Sequence, residues 1–351
     1  MATIGPSTMT SRHGLANVGN TCYLNSAVQA LCKSKPFTEY FGTEAWRKHR
    51  HEDRKGYSLA AQTADLVTAL NAPGDQLIVP SSFVKAFIEF AHEVNEDIRF
   101  GVQADAAEAI QILLDGLHTQ QARGVIMQII HAPEPALCKP DETELVRSLE
   151  SWTAFFNKEY SPLVDAFYAQ TQTKIVCSEC KASSTRYEPW SILKAPIPGA
   201  ETQGAEAPSL QACIASAFAS ETVDDYTCDG CKKKGQVMIH HTISRFPKHI
   251  ILSLKRFTNQ GRKVHARITY DQEKINFTEW RSWASQGSPV YRVISTIEHL
   301  GNSRGGHYIM RHRDPTDNSW HIIDDSSLSV SQIGGAAGPD TYVLVLEQVS
   351  C

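Results

Sequence analysis

No stretch of this chain approaches the roughly 18 consecutive apolar residues of a membrane-spanning helix, which excludes a helical integral membrane protein. Met1 to Arg12 is rich in Ser and Thr and lacks an apolar h-region, so a cleaved secretory leader is not expected. One sign of charge does not dominate either. Lys and Arg number 34 against 38 Asp and Glu, a net charge of −4, so no global basic field points to nucleic acid or an anionic membrane. The short run Lys232–Lys234 follows a cysteine pair and reads as a solvated loop. Internal repeats and long low-complexity tracts are also missing, which excludes arrays and disordered linkers.

What is there suits a globular chain with a core. Of 351 residues, 42% are hydrophobic and 21% charged, enough for one large domain or two ordinary ones. Nine cysteines without a leader read as reduced thiols, metal ligands or a nucleophile inside a cell, rather than as a disulfide framework.

The hydrophobic pattern changes along the chain. Leu24, Val28 and Leu31 share one helical face after Cys22, as do Ala106, Ala109, Ile110, Leu113, Leu114 and Leu117. Phe83, Ala86, Phe87 and Phe90 predict a further short helix entered after Pro80. From about Phe167 the signal becomes β, at Gln172–Val176, Ile250–Leu254, Tyr291–Ile297, Tyr308–Arg313, Ser319–Ile323 and Tyr342–Leu346. Pro196–Pro208, with Gly199 and Gly204, reads as a loop. Helices first and strands afterwards predict an α+β fold.

Chemistry concentrates before the first helix, in Gly14-Leu15-Ala16-Asn17-Val18-Gly19-Asn20-Thr21-Cys22. A thiol opening a helix faces unpaired N–H groups and the positive helix end, which favour the nucleophilic thiolate. An amide of Asn17 or Asn20, with the N–H of Cys22, makes a candidate oxyanion hole, where losing one donor costs ~2.7–4 kcal/mol. The competing reading is a small buried cysteine beside helix-capping asparagines. Cys32, at the far end of the same helix, reads as core.

A base is expected in Gly305-Gly306-His307, where the glycines leave room for an extended substrate chain. Asp314-Pro315-Thr316-Asp317 then turns the chain toward Ser319–Asp324. Pairing Arg313 with Asn318 sets Asp324 opposite His307, a carboxylate to orient the imidazole. A slip of one residue brings Asp325 forward instead. His299 is the rival base, expected in a loop, whereas His312 and His321 read as ordinary strand or surface residues.

Cys177-Ser178-Glu179-Cys180 and Cys228-Asp229-Gly230-Cys231 make two CxxC turns. Four thiolates are the tetrahedral set of a structural zinc ion, bound at about 2.3 Å with no open position. A redox reading needs one pair in a thioredoxin-like βαβ context, which the pattern lacks. Cys138, Cys213 and Cys351 have no assigned role.

These segments together resemble the ubiquitin-specific proteases. Gly14–Leu31 is similar to that family's cysteine box and Tyr291–Leu346 to its histidine box. Val102–His118 is similar to its Gln-x-Asp-x-x-Glu helix, and Phe246–Phe257 to its segment ending Leu-Lys-Arg-Phe. The resemblance implies a papain-like fold with thumb, palm and zinc-bearing fingers. It implies a flexible segment 1–13 and one catalytic domain over 14–347, with a thumb at 14–160, fingers and palm strands at 165–265 and a palm at 266–347. It implies a thiol protease cutting after the C-terminal glycine of ubiquitin, with Cys22 as nucleophile, His307 as base, Asp324 with Asp325 as the orienting carboxylates and Asn17 as oxyanion donor. A structural Zn2+, no catalytic cofactor, ubiquitin or ubiquitinated proteins as partners and monomeric action follow from the same resemblance. Gln103, Asp105 and Glu108 fall at its polar and acidic helix positions, where carboxylates can pair with arginines of the ubiquitin tail. Gly305, Gly306 and Tyr308 are expected along the substrate's path. The chain departs from the family at Ala104, Ala109 and Ile323, which concern packing or substrate contact. A protease for another ubiquitin-like modifier, or an inactive ubiquitin-binding module, shares the same boxes.

Overall fold

Apolar residues spaced for one face build the helical half of this protein, seen in a computed structural model that describes residues 13–49, 51–55, 57–129, 140–199, 207–258, 260–331 and 338–349. The helices are α1 (Cys22–Leu31), α2 (Lys35–Phe41), α3 (Tyr57–Leu70), α4 (Ser81–Val94), α5 (Ala106–Gln121), α6 (Pro140–Phe156), α7 (Pro162–Phe167) and α8 (Leu210–Ala217). The faces read from sequence are the buried ones: Leu24, Val28 and Leu31 on α1, Phe83, Ala86 and Phe87 on α4, and Ala106 to Leu117 on α5. Asp105 caps α5 by accepting the N–H groups of Ala107 (2.8 Å) and Glu108 (2.9 Å). Among the described residues, no helix is long and apolar enough to cross a membrane.

The strands in chain order are β1 (Ala169–Cys177), β2 (Ser183–Trp190), β3 (Ile192–Pro196), β4 (Glu221–Thr227), β5 (Lys234–Arg245), β6 (His249–Lys255), β7 (Ile275–Asn276), β8 (Arg281–Gln286), β9 (Val290–Asn302), β10 (Gly305–Arg313), β11 (Trp320–Asp324), β12 (Ser327–Val330) and β13 (Thr341–Gln348). They form two sheets, and the α+β arrangement is the one expected. The larger runs β12-β11-β10-β9-β13-β6-β3, with β7 on β9; the smaller runs β2-β1-β5-β4, with β8 parallel to β5.

The central strands of the larger sheet are buried on both faces, which explains their unbroken apolar runs. Ile251, Val343 and Val345 enter the core shared with the helices, while Ile250, Leu252, Leu344 and Leu346 enter a second core with α8. Successive side chains point to opposite faces, so each strand serves two cores at once. The helical layer seats α1 directly against β10 and α5.

Several elements were not anticipated. β4 is exposed at nearly every position and β2 has no fully buried residue, so neither carries an apolar alternation. Pairing with β5 and β1 places them. Helix α8 lies inside the region read as β-rich. His299, expected in a loop, is a buried residue of β9. His13, at the edge of the segment expected to be flexible, is buried and bonds the Ala72 carbonyl at 2.8 Å. Gly204, Cys138 and Cys351 lie outside the described residues.

Gly116 shows how tightly the helices meet. A Cβ there would come within 2.7 Å of the Phe90 ring and 2.9 Å of Leu59. Gly116→Ala is therefore expected to destabilise by ~1–3 kcal/mol, despite the better helix propensity of alanine, as read from urea unfolding midpoints.

Candidate active site

The loop before Cys22 is a set of turns held from both sides. Leu15 donates its N–H to the Asp325 carbonyl (2.8 Å) and Ala16 to the Ile78 carbonyl (2.8 Å), stringing the segment between the sheet and the helices. Gly19 (φ +129) and Asn20 (φ +54) then take left-handed backbone, which reverses the chain into α1. Asn17 braces this turn, accepting from the N–H of Thr21 at 3.0 Å while donating through Nδ2 to Asp325 Oδ2 at 2.9 Å. The Asn20 amide points elsewhere, donating to the Gly101 carbonyl at 2.7 Å. Of the two candidate oxyanion donors, only Asn17 stays beside the Asp324-Asp325 pair.

Cys22 opens α1 as expected, but it is only 2% exposed. The backbone N–H groups of Tyr308 on β10, of Tyr23 and of Cys22 itself lie near its sulfur and favour the thiolate. Burial nevertheless pushes the thiol above its ordinary value, and the Asp325 carboxylate adds to the rise. This corrects the expected low-pKa thiolate: removal from water outweighs the first-turn N–H groups.

His307 and Asp324 meet, with Nε2 and Oδ1 2.6 Å apart. The register differs from the one expected. Arg313 pairs with Trp320, not Asn318, and Met310 pairs with Ile323, because the connecting loop is two residues longer. The pairing that would have set Asp324 opposite His307 is displaced by two positions. Two is the period of a strand, so Asp324 stays on the same face and reaches His307 diagonally. Asp325 sits in left-handed backbone (φ +47) at the β11–β12 turn and faces the helical half, accepting from Asn17 and, at 2.8 Å, from Asn25 Nδ2.

The expected substrate-side residues already have partners. Gln103 bonds both backbone groups of Gly306, donating to its carbonyl at 2.7 Å and accepting from its N–H at 3.1 Å. Asp105 accepts from the Tyr342 hydroxyl at 2.6 Å besides capping α5, and Glu108 accepts from Asn95 Nδ2 at 2.8 Å. Tyr308 is buried against the His299 ring, centroids 4.7 Å apart. The glycines suit this crowding: a Cβ on Gly306 would strike the Leu300 carbonyl and the His299 ring.

A family sequence model described as ubiquitin carboxyl-terminal hydrolase matches residues 13–345. The chain belongs to that family. Ubiquitin carboxyl-terminal hydrolase 2 of Homo sapiens is 28% identical over 346 residues, covering 96% of this chain and 55% of its own length. Ubiquitin carboxyl-terminal hydrolase 21 of Rattus norvegicus is 28% identical over 349 residues, covering 94% of this chain and 60% of its own. This chain thus spans little more than half of either relative. Among solved structures, the SAGA DUB module of Ubp8, Sgf11, Sus1 and Sgf73 bound to monoubiquitin matches with a TM-score of 0.71 at 19% identity, over 99% of this chain and 71% of that one. A yeast SAGA DUB module structure matches with a TM-score of 0.72, also at 19% identity, over 99% of this chain and 70% of that one. At such identities the likeness concerns the fold.

This ubiquitin carboxyl-terminal hydrolase fold also brings the two CxxC turns together. They are the β1–β2 and β4–β5 hairpin loops, side by side at one end of the smaller sheet. The four sulfurs lie within 4.8 Å of one another, and Cys180 and Cys228 are 3.7 Å apart. A tetrahedron with bonds of about 2.3 Å has edges of about 3.8 Å, so the donor set fits zinc. Both loops place a lysine just after the second cysteine in left-handed backbone, Lys181 (φ +61) and Lys232 (φ +60). A Cβ on Gly230 would sit 3.6 Å from two of the sulfurs and collide with Ala182.

Four contributors escaped the sequence reading: Asn25, Arg256, Lys263 and Asp340. Arg256, fully buried, donates to the carbonyls of Thr341, Val264 (2.9 Å) and Ala266 (2.9 Å). Lys263 binds the carbonyls of His299 and Gly301 and the Asp340 carboxylate (2.7 Å), pinning the hairpin that carries His307. Arg256 lies in the Leu-Lys-Arg-Phe segment, the one signal that marked it.

Alkylation of Cys22 by iodoacetamide should show its pH inflection above that of an ordinary thiol. Asp325→Asn removes a negative charge that raises the thiol pKa, so its inflection should move to lower pH; an upward shift contradicts the assignment.

Proposed function

We propose that this chain is a deubiquitinating thiol protease that hydrolyses the peptide or isopeptide bond after the C-terminal glycine of ubiquitin, acting as a single copy. The observation that carries this reading is the His307–Asp324 pair, 2.6 Å apart, beside a glycine-built strand end whose next residue, Tyr308, turns its backbone N–H toward the buried Cys22. Asp324 engages Nε2 of His307, leaving Nδ1 as the base for Cys22. Because burial disfavours a standing thiolate, the proton passes from Cys22 Sγ to Nδ1 as the substrate closes over the pair. Sulfur then attacks the terminal glycine carbonyl. The oxyanion takes hydrogen bonds from the Cys22 N–H and from the Asn17 amide hydrogen not used by Asp325. His307 returns the proton to the departing amine as the C–N bond breaks, leaving a thioester. Water, deprotonated by His307, hydrolyses the thioester and frees the carboxylate and the thiol.

Glu108, with one oxygen on Asn95, is the better placed acidic side chain for an arginine of the ubiquitin tail, since Asp105 already takes three hydrogen bonds. Cys177, Cys180, Cys228 and Cys231 would hold a structural Zn2+, which clamps two hairpins together and takes no part in the chemistry. The relatives' names and a neighbour bound to monoubiquitin favour ubiquitin over other modifiers.

The test uses ubiquitin, and related modifiers, carrying a C-terminal electrophile. The unmutated protein should be labelled by the ubiquitin probe and Cys22→Ala should not; labelling that survives the substitution sinks the nucleophile, and labelling only by another modifier redirects the substrate. For the metal, folded protein should contain about one equivalent of zinc and Cys228→Ser should lose it with a lowered melting temperature. Less than about half an equivalent in folded protein would reject the zinc assignment.

A further inference from the structure

Among the described residues, strand β10 is paired on one side only near its start. β9 pairs with it from Gly305 onward, but β11 joins its other edge only at Met310. On that uncovered edge Gly306 presents both its N–H and its carbonyl, and Gln103 takes both. Tyr308, two residues on and so facing the same way, directs its N–H at the Cys22 sulfur. Groups on one strand edge repeat about every 6.6 Å, so an extended chain whose carbonyl reaches Cys22 must run past Gly306. A primary carboxamide offers an acceptor and a donor side by side. Gln103 therefore makes the pair of bonds that one residue, through its own N–H and C=O, makes when a strand is added to a sheet.

We propose that Gln103 is a specificity-determining residue whose carboxamide stands in for the N–H and C=O of one residue of the substrate tail and yields its place when the tail arrives. Gln103 is exposed and water reaches both hydrogen bonds, so an incoming chain that offers the same two bonds together with further contacts displaces it. The exchange demands an extended tail with a free N–H opposite Gly306, and selects against a proline or N-methylated unit there. The assignment rests on the deubiquitinase reading above, but its first readout does not need turnover.

Amide hydrogen exchange at Gly306, followed by NMR, should be slow in the free protein and about tenfold or more faster in free Gln103→Ala, as expected for an exposed group losing its partner. Coupling the ubiquitin electrophile probe to Cys22 should protect Gly306 in both proteins. With a fluorogenic ubiquitin amide, KM should fall about three- to tenfold in Gln103→Ala, the scale of releasing a hydrogen-bonded amide. Gln103→Glu, which keeps the acceptor but faces the carbonyl with a charge, should move KM the same way. A Gly306 amide left unprotected in the ubiquitin-bound Ala variant, or an unchanged or raised KM, would overturn the assignment and make Gln103 a permanent strut. Failure of the unmutated protein to take up the probe would reject the deubiquitinase reading and this inference with it; failure of the exchange pattern alone rejects only the inference.

Discussion

One carboxylate holds the two halves of this protein in working alignment. Asp325 accepts from Asn17 with one oxygen and from Asn25 with the other, across 308 and 300 residues of sequence. The first bond sets the loop before Cys22 and the second fixes the helix that carries it. Both run to the turn next to Asp324, so the spacing between α1 and the β10–β11 pair is set by hydrogen bonds to a charged group, the stronger class. The charge that performs this alignment also raises the Cys22 pKa, so alignment and thiolate formation pull in opposite directions.

Alignment at the surface needs a rigid base, which the doubly covered sheet supplies. Residues of β6 and β13 alternate between the helix-side core and the α8-side core, so neither strand moves without disturbing both. Two cations extend that rigidity to the hairpin. Burial holds the Arg256 guanidinium down to about 10, still charged at neutral pH, and its Nε and Nη1 protons go to backbone carbonyls. Lys263 meets Asp340 and two further carbonyls of β9. Buried charges persist where such partners surround them, and here the partners are the backbone that presents His307. The cysteine knuckles sit on a poorer sheet: β2 and β4 bury little, and the four sulfurs meet at their ends, where a bound metal would clamp the two hairpins.

The helices α1, α4 and α5 were legible because each must bury one stripe, and a stripe leaves a periodic mark. The candidate site residues stood out as residue types in context: a thiol opening a helix, a histidine after glycines, a carboxylate beyond a turn. The hairpin register was not, since the loop proved two residues longer than the sequence suggested; the face survived because strands repeat every two residues. Nor was the rise in the thiol pKa, because sequence shows the N–H groups of a first turn but not the strand that seals the sulfur from water.

By itself, then, the sequence determined the candidate side chains for catalysis and metal binding, and the order of helices and strands that carries them. Local spacing encodes both. Only the tertiary structure decided how those groups are committed: Asn17 to Asp325 and Asn20 to Gly101, Asp105 to a helix cap and Tyr342, Gln103 to the free edge of β10. A hydrogen bond between residues hundreds of positions apart leaves no periodic trace, because its partners are chosen by the packing that brings them within about 3 Å.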